Sequence, residues 1–201
     1  MPQLFATKGN LIAAKKSLEL SSTGYDLLDR KRSILIREMM DLLNRSKGLR
    51  AQIDETYTQA YAALRRANTT LGAVGAISRT TPPDTVVELR YRSVMGVDLP
   101  VCDYAEPHRR MAYGIHGSDS QLDNAYHRFC DVKRMTVMLA EIENSAFRLA
   151  RAIIKTQRRA NALKNVSIPK LERTIKTITE VLEEKDREEF SRLKVIKRGK
   201  E

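Results

Sequence analysis

The sequence predicts a mainly α-helical protein: a long antiparallel two-stranded coiled coil of N- and C-terminal helices, with a short middle region that contains a β-hairpin. Three observations predict it. Pro and Gly interrupt helices, and four of the six prolines and five of the nine glycines are crowded into residues 72–117. No proline lies between Asn10 and Leu71, and neither residue type lies between Ser118 and Ile168. Apolar residues on both breaker-free stretches recur at heptad spacing. Composition agrees: 30% charged residues, 5% aromatics and no Trp in 201 residues suit long helices with narrow apolar seams rather than a compact core.

The first arm, residues 1–71, carries two interleaved heptad series. Leu28, Leu35, Leu42 and Leu49 form one; Leu11, Leu18, Tyr25, Arg32, Met39, Ser46, Ile53, Ala60 and Ala67 form the other. Alternate steps of three and four make an a/d seam. Arg32 falls within it, where a charge is costly unless its head reaches water or a partner. The cluster from Gly72 to Gly75 follows a helix, whereas a phosphate loop would follow a strand, so it reads as a helix end. In the middle region, residues 72–117, Val87, Leu89 and Tyr91 alternate with Glu88, Arg90 and Arg92. That alternation predicts a hairpin over about Val86 to Val101, turning at Gly96; Pro107 to Gly117 is expected to be loop.

The second arm, residues 118–201, repeats the device. Val132, Leu139, Ala146, Ile153 and Ala160 interleave with Met135, Ile142, Leu149, Thr156 and Leu163. Past Leu163 the step becomes four (Ser167, Leu171, Ile175) beside Pro169. A stutter there should unwind the supercoil locally and the proline should bend the helix. Each seam is too narrow for a helix sunk in a globular core, so the arms are expected to fold back on one another. An arm of some sixty residues would be a rod of about 90 Å.

Lys and Arg number 36 against 25 Asp and Glu, a net charge of +11. Residues 1–71, 72–150 and 151–201 carry +5, −1 and +7, so the excess sits on the terminal arms. This predicts an acidic partner. Few aromatics stand near the basic clusters to stack bases, and acidic residues are threaded through them, which argues against nucleic acid. A free-standing basic coiled-coil adaptor for nucleic acid is the alternative reading. No apolar run approaches the ~18 residues that span a bilayer and the N-terminus lacks signal-peptide order, so no direct membrane insertion and a cytosolic chain are expected. Cys102 and Cys130 have neither disulfide nor zinc spacing and read as packing thiols. His108, His116 and His127 have no paired histidine at helical spacing. Glu183, Glu184, Glu188 and Glu189 stand among Lys185, Arg187 and Arg192 at the spacing of solvated helical ion pairs. No catalytic residue, cofactor or metal is therefore expected.

The ordered motifs carry a resemblance. Thr7-Lys8 with Leu11 and Leu18, then GYDLLDRKRSIL (Gly24 to Leu35), YRSVMGVDLP (Tyr91 to Pro100), RRANALK (Arg158 to Lys164), IPKLERTIKTI (Ile168 to Ile178) and REEFSRLKVIK (Arg187 to Lys197) together resemble the D subunit of the V-type and A-type rotary ATPases. The opening LFATKGN departs from the usual family start, and Asp29 stands where a lysine is common. The resemblance implies a non-catalytic central rotor shaft, with no cofactor, on the cytoplasmic side of the membrane in a peripheral complex. It would couple ATP hydrolysis or synthesis in the catalytic A/B hexamer to rotation of the membrane ring and transport of protons or sodium. Implied partners are the A and B subunits, a small F subunit and a rotor connector to the ring. Contacts with the catalytic crown would fall to Lys8, Leu11, Lys31, Arg32, Arg158, Arg159, Arg187, Arg192, Leu193, Lys194 and Lys197. The middle hairpin would present Tyr91, Met95, Gly96 and Pro100 at the other end.

Overall fold

The computed structural model describes residues 5–72, 74–79, 87–104, 113–114 and 117–199. His108, His116, Pro107 and Val86 lie outside the described residues. In chain order the elements are helix α1 (Lys8–Leu71), a one-turn helix α2 (Gly75–Ser78), strands β1 (Val87–Val94) and β2 (Val97–Tyr104), helix α3 (Ser120–Ala162), a π-helical turn (Leu163–Ser167) and helix α4 (Ile168–Arg198). The fold is thus mainly α, with an N-terminal helix, a long C-terminal helical stretch and a two-stranded antiparallel hairpin between them.

Helix α1 is closed at both ends by local chemistry. The Thr7 hydroxyl accepts the Asn10 N–H at 3.2 Å, and the Thr7 carbonyl accepts the Leu11 N–H at 3.0 Å, so Thr7 satisfies donors that the first turn cannot. At the other end Gly72 takes φ +75° and donates to the Asn68 carbonyl at 3.1 Å. Only a residue without Cβ adopts that left-handed cap at little cost. The glycine cluster is therefore a helix stop, as its position after a helix implies.

The chain gathers into two compact units, residues 34–152 and residues 1–33 with 153–201. Within the first, α1 and α3 lie antiparallel: Arg50 meets Glu143, Tyr57 meets Thr136 and Gln59 meets Arg128, so α3 partners fall as α1 numbers rise. The buried α1 residues are Leu35, Leu42, Ser46, Ile53, Ala60, Ala63 and Ala67. All sit on the two heptad series, Ala63 by extension of the Leu28 series. On α3, Ala125, Val132 and Leu149 do the same, while buried Ser145 lies off the seam because the hairpin covers it. Leu35 and Leu149 have no exposed surface. Tyr57, Tyr61 and Phe129 form an aromatic group at the rim, with ring centroids 6.1 and 5.5 Å apart.

In the second unit α1 and the C-terminal stretch are again antiparallel. Leu163 lies over Gly24, Lys164 over the Tyr25 ring, and Arg32 meets Gln157. Ala14, Thr156, Ala160 and Ile178 are buried there. At the predicted stutter the helix widens into a five-residue π turn in which the Ile168 N–H reaches the Leu163 carbonyl. Pro169, which has no N–H, falls in the first turn of α4, where an α-helical donor is not needed. A turn closed by i→i+5 bonds holds more residues than an α turn, which lets the apolar face persist through steps of four. The expected unwinding thus takes the form of one defined π turn.

The hairpin also differs from expectation. Its strands run Val87–Val94 and Val97–Tyr104, so the second extends three residues past Val101. The two-residue turn uses Met95 at φ 51° as well as Gly96 at φ 72°, the sign pattern of a type I′ turn that matches strand twist. The alternating apolar residues Val87, Leu89 and Tyr91 remain exposed.

Replacing Leu35 or Leu149 with Ala should cost about 2–5 kcal/mol each, the range for a fully buried leucine. Urea unfolding followed by circular dichroism measures it, and an unshifted midpoint for both variants would show that the seam is placed on the wrong face. Ile36→Ala, one residue round from Leu35 and partly exposed, should shift the midpoint far less.

Candidate functional site

Among the described residues no group of three His, Cys, Asp or Glu side chains is placed to hold a metal ion, and no helix is long and apolar enough to cross a membrane. What the structure offers is surface, and its distribution follows from the seam.

The sequence-predicted crown residues all fall in the unit formed by residues 1–33 and 153–201. Lys8 opens α1 and is exposed, Leu11 is half-buried in its first turns, and Lys31 flanks the seam half-buried. Arg158 and Arg159 are exposed on α3, and Arg187, Arg192, Leu193, Lys194 and Lys197 are exposed on α4. From Glu183 to Gly199 every residue is exposed. Among the described residues of its unit no helix buries that stretch, yet it carries Phe190, Leu193, Val195 and Ile196. Arg187 pairs with Glu183 at 3.8 Å and Arg192 with Glu188 at 3.5 Å, each at i,i+4. Such exposed pairs are worth about 0–1 kcal/mol, so the arginines are readily surrendered to another partner.

Arg32 is different. One terminal nitrogen donates to Gln157 Oε1 at 2.5 Å, the other lies 2.9 Å from Asp29 Oδ1, and Gln157 in turn donates to Asn161 Oδ1 at 2.8 Å. Its Nε is buried without a hydrogen-bond partner. The seam charge therefore has partners for its head but not for its whole fork, a mid-seam polar layer of the kind that fixes register at some cost in stability. Asp29 is the acidic residue that pairs with it.

The hairpin residues lie in the other unit. Tyr91 and Met95 are exposed, Gly96 supports the turn, and Pro100 is buried. Three α3 side chains hold the outer edge of β2: Glu141 accepts the Cys102 N–H at 2.8 Å, the Ser145 hydroxyl donates to the Pro100 carbonyl at 3.3 Å, and Arg148 donates to the Asp98 carbonyl at 2.9 Å. Residues 141, 145 and 148 are four and three apart, one helical face, while 98, 100 and 102 are the alternate residues whose backbone points away from β1. Pro100 occupies an outward position where no ladder bond needs its missing N–H. On the other flank Arg92 reaches Glu38 of α1 at 2.5 Å, and Arg148 stacks over the Tyr91 ring at 5.4 Å. Burial, with Glu141 and Asp103 nearby, pushes the Cys102 thiol up and keeps it protonated at neutral pH. Near the start of α3, burial and a 2.7 Å hydrogen bond to Asp123 push the Tyr113 phenol up as well. Sequence reasoning missed the three-point anchor on α3. Its only signal was the i, i+4, i+7 spacing of polar residues beside the seam, which is also how any solvated helix flank looks.

The family described as the D subunit of ATP synthase matches residues 10–198. The V-type ATP synthase D subunit of Thermotoga neapolitana is 39% identical over 193 residues, covering 95% of each chain. The A-type ATP synthase D subunit of Pyrococcus abyssi is 34% identical over 98% of this chain and 96% of its own. That of Thermococcus kodakarensis is 36% identical, over 95% and 92% respectively.

If the Arg32 layer fixes register rather than adding net stability, Arg32→Met should unfold at about the same urea concentration as the parent, because the part-buried pair it removes adds little and the apolar stem still packs in the seam. Arg32→Ala should unfold earlier, having lost the packed stem as well. Equal destabilisation of both variants would show instead that the guanidinium itself contributes the stability.

Proposed function

The chain belongs to the ATP synthase D-subunit family, and from that membership we propose that it is the central rotor shaft of a V/A-type rotary ATPase. In this role it catalyses nothing itself. It carries torque between an A/B catalytic hexamer and a membrane ring, on the cytoplasmic side of the membrane and within a peripheral complex. Its proposed partners are the A and B subunits at the basic unit, a small F subunit beside the coiled coil, and a rotor connector toward the ring at the hairpin end. The three working parts are residues 1–71, 72–117 and 118–201.

The observation that carries the reading is the seam. In each compact unit α1 buries its heptad residues against an antiparallel partner, and side chains interlocked in this way resist rotation of one strand about the other. The same seam leaves the charged flanks free. The net positive charge lies on the terminal arms, and arginines held only by exposed i,i+4 pairs can exchange among three similar acidic faces without being trapped by one. The crown contacts are assigned to Lys8, Leu11, Lys31, Arg158, Arg159, Arg187, Arg192, Leu193, Lys194 and Lys197, with Arg32 holding the seam beneath them. Tyr91 and Met95 are assigned to the hairpin end, with Gly96 and Pro100 shaping it.

Co-expression with A, B and F subunits tests the reading: one copy of the chain should enter a stable complex. Failure to do so, together with salt-sensitive retention on duplex DNA, would favour the adaptor reading instead. Within the complex, truncation after Glu189 removes the exposed Phe190, Leu193 and Ile196 and should weaken assembly or ATP-driven rotation, while the melting temperature of the free chain changes by no more than a few degrees. Arg192→Glu with Lys194→Glu should reproduce the defect, and more severely at low salt. Full coupling after truncation would move the torque-bearing contacts to Lys31 and Arg158.

A further inference from the structure

The unit formed by residues 1–33 and 153–201 sorts its charge between two flanks. With Leu18, Tyr25 and Arg32 as a positions of the heptad, Glu19 and Asp26 fall at b and Asp29 at e, on the flank where Asp29 and Gln157 meet the Arg32 head. The opposite flank, positions c and g, carries Leu20, Gly24, Leu27 and Lys31 on α1 with Lys155 and Arg159 on α3. No acidic residue occurs on the second arm between Glu143 and Glu172. Among the described residues Lys31, Lys155 and Arg159 have no ion-pair partner. Leu20 and Leu27 are 75% and 61% exposed. With Thr23 and Gly24 they stand at i, i+3, i+4 and i+7, the corners of the hole that receives one side chain from a facing helix. A glycine inside a helix lowers its stability, and a Cβ at Gly24 would meet only Leu163 Cδ1, at an ordinary 3.8 Å. Packing among the described residues therefore does not require the glycine, and its effect is to leave that hole open.

We propose that this flank is a helix-docking groove that takes an acidic amphipathic helix of a partner protein. One apolar side chain of that helix enters the hole among Leu20, Thr23, Gly24 and Leu27, and its carboxylates lie along Lys31, Lys155 and Arg159. The apolar hole calls for a helix, since a knob enters such a hole from a helix packed along it. The unpaired cations call for acid, and the carboxylates of the other flank would repel the same helix. Duplex DNA would use the cations alone and leave both leucines in water. The inference rests on the rotor reading, which assigns Lys31 and Arg159 to the crown, and adds the chemistry and secondary structure of what meets them.

The probe is a fluorescein-labelled, lactam-stapled helical peptide with leucines at a and d positions and glutamates along one flank, titrated with the full-length chain at physiological salt. It should bind, and the same peptide with lysine for glutamate should not. Gly24→Gln fills the hole without changing any charge; it should melt no lower than the parent, because glutamine is the better helix former, and bind the peptide about tenfold more weakly or worse. Should that variant misfold, Leu20→Ser with Leu27→Ser, both at exposed positions, removes the rim of the hole and decides the matter by the same loss. Lys155→Gln with Arg159→Gln should weaken binding and flatten its salt dependence. No binding at 1 mM, equal binding of the lysine peptide, or equal binding by the parent and the folded hole variants would overturn the proposal, the last leaving only diffuse attraction to a basic chain. So would a concentration-dependent dimer that Gly24→Gln dissolves, which would give the groove to a second copy. Co-expression with A, B and F subunits separates the two readings. Failure of the parent to enter the complex counts against the rotor shaft and leaves the peptide result standing, whereas entry of parent and Gly24→Gln in equal yield with equal rotation overturns the groove and leaves the shaft.

Discussion

Everything described depends on one constraint: α1 and the α3–α4 stretch each have an apolar stripe too narrow to be shared with more than one neighbour. Burial of a leucine such as Leu35 stabilises by about 1.5–3 kcal/mol, and a helix with a single such stripe can obtain it only from a partner with the same period. The antiparallel arrangement in both compact units follows, as does the absence of any requirement for a third layer. The flanks are then left to charge, which is how a basic protein can concentrate its excess on the arms without disturbing the packing.

The middle region solves a different problem. A two-stranded hairpin is marginal by itself, and this one is held because α3 supplies side chains to an edge that would otherwise lack partners. The same helix thus works through two faces, one packed by period and one hydrogen-bonded by spacing. Buried Ser145, off the heptad series, marks where the two faces meet.

Much of this was legible in the sequence. The breaker distribution located the helices to within a few residues, and the heptad series named nearly every buried side chain of α1, because a seam with one partner leaves little freedom in what it buries. Arg32 could be singled out because a charge on an a/d series is anomalous anywhere. The illegible parts depended on contacts between residues distant in sequence and ordinary in type. Glu141, Ser145 and Arg148 look like solvated helix polarity until β2 is beside them, and Asp29 gains its role only from the Arg32 head. The positive φ at Met95 was hidden because methionine is not a turn residue, and the adjacent Gly96 drew the assignment. The residues assigned to the crown rest on resemblance and charge. The structure gives them one compact unit and an exposed terminal helix.

The π turn at Leu163–Ser167 has a consequence for angle rather than for packing. An α-helix turns about 100° per residue, whereas a turn closed by i→i+5 bonds takes up one extra residue in nearly the same rotation. The bearing of Phe190, Leu193 and Lys194 relative to the seam at Thr156 and Ala160 is therefore set by this one widened turn, more than twenty residues upstream. Were the same residues wound as an unbroken α-helix, the tail would be aimed about a quarter-turn away, whereas loss of one residue between 163 and 167 would let an unbroken α-helix keep the tail's bearing. In such a helix, azimuth is inherited along the chain, and a local irregularity that contributes nothing to the core can be the keyway that orients the end.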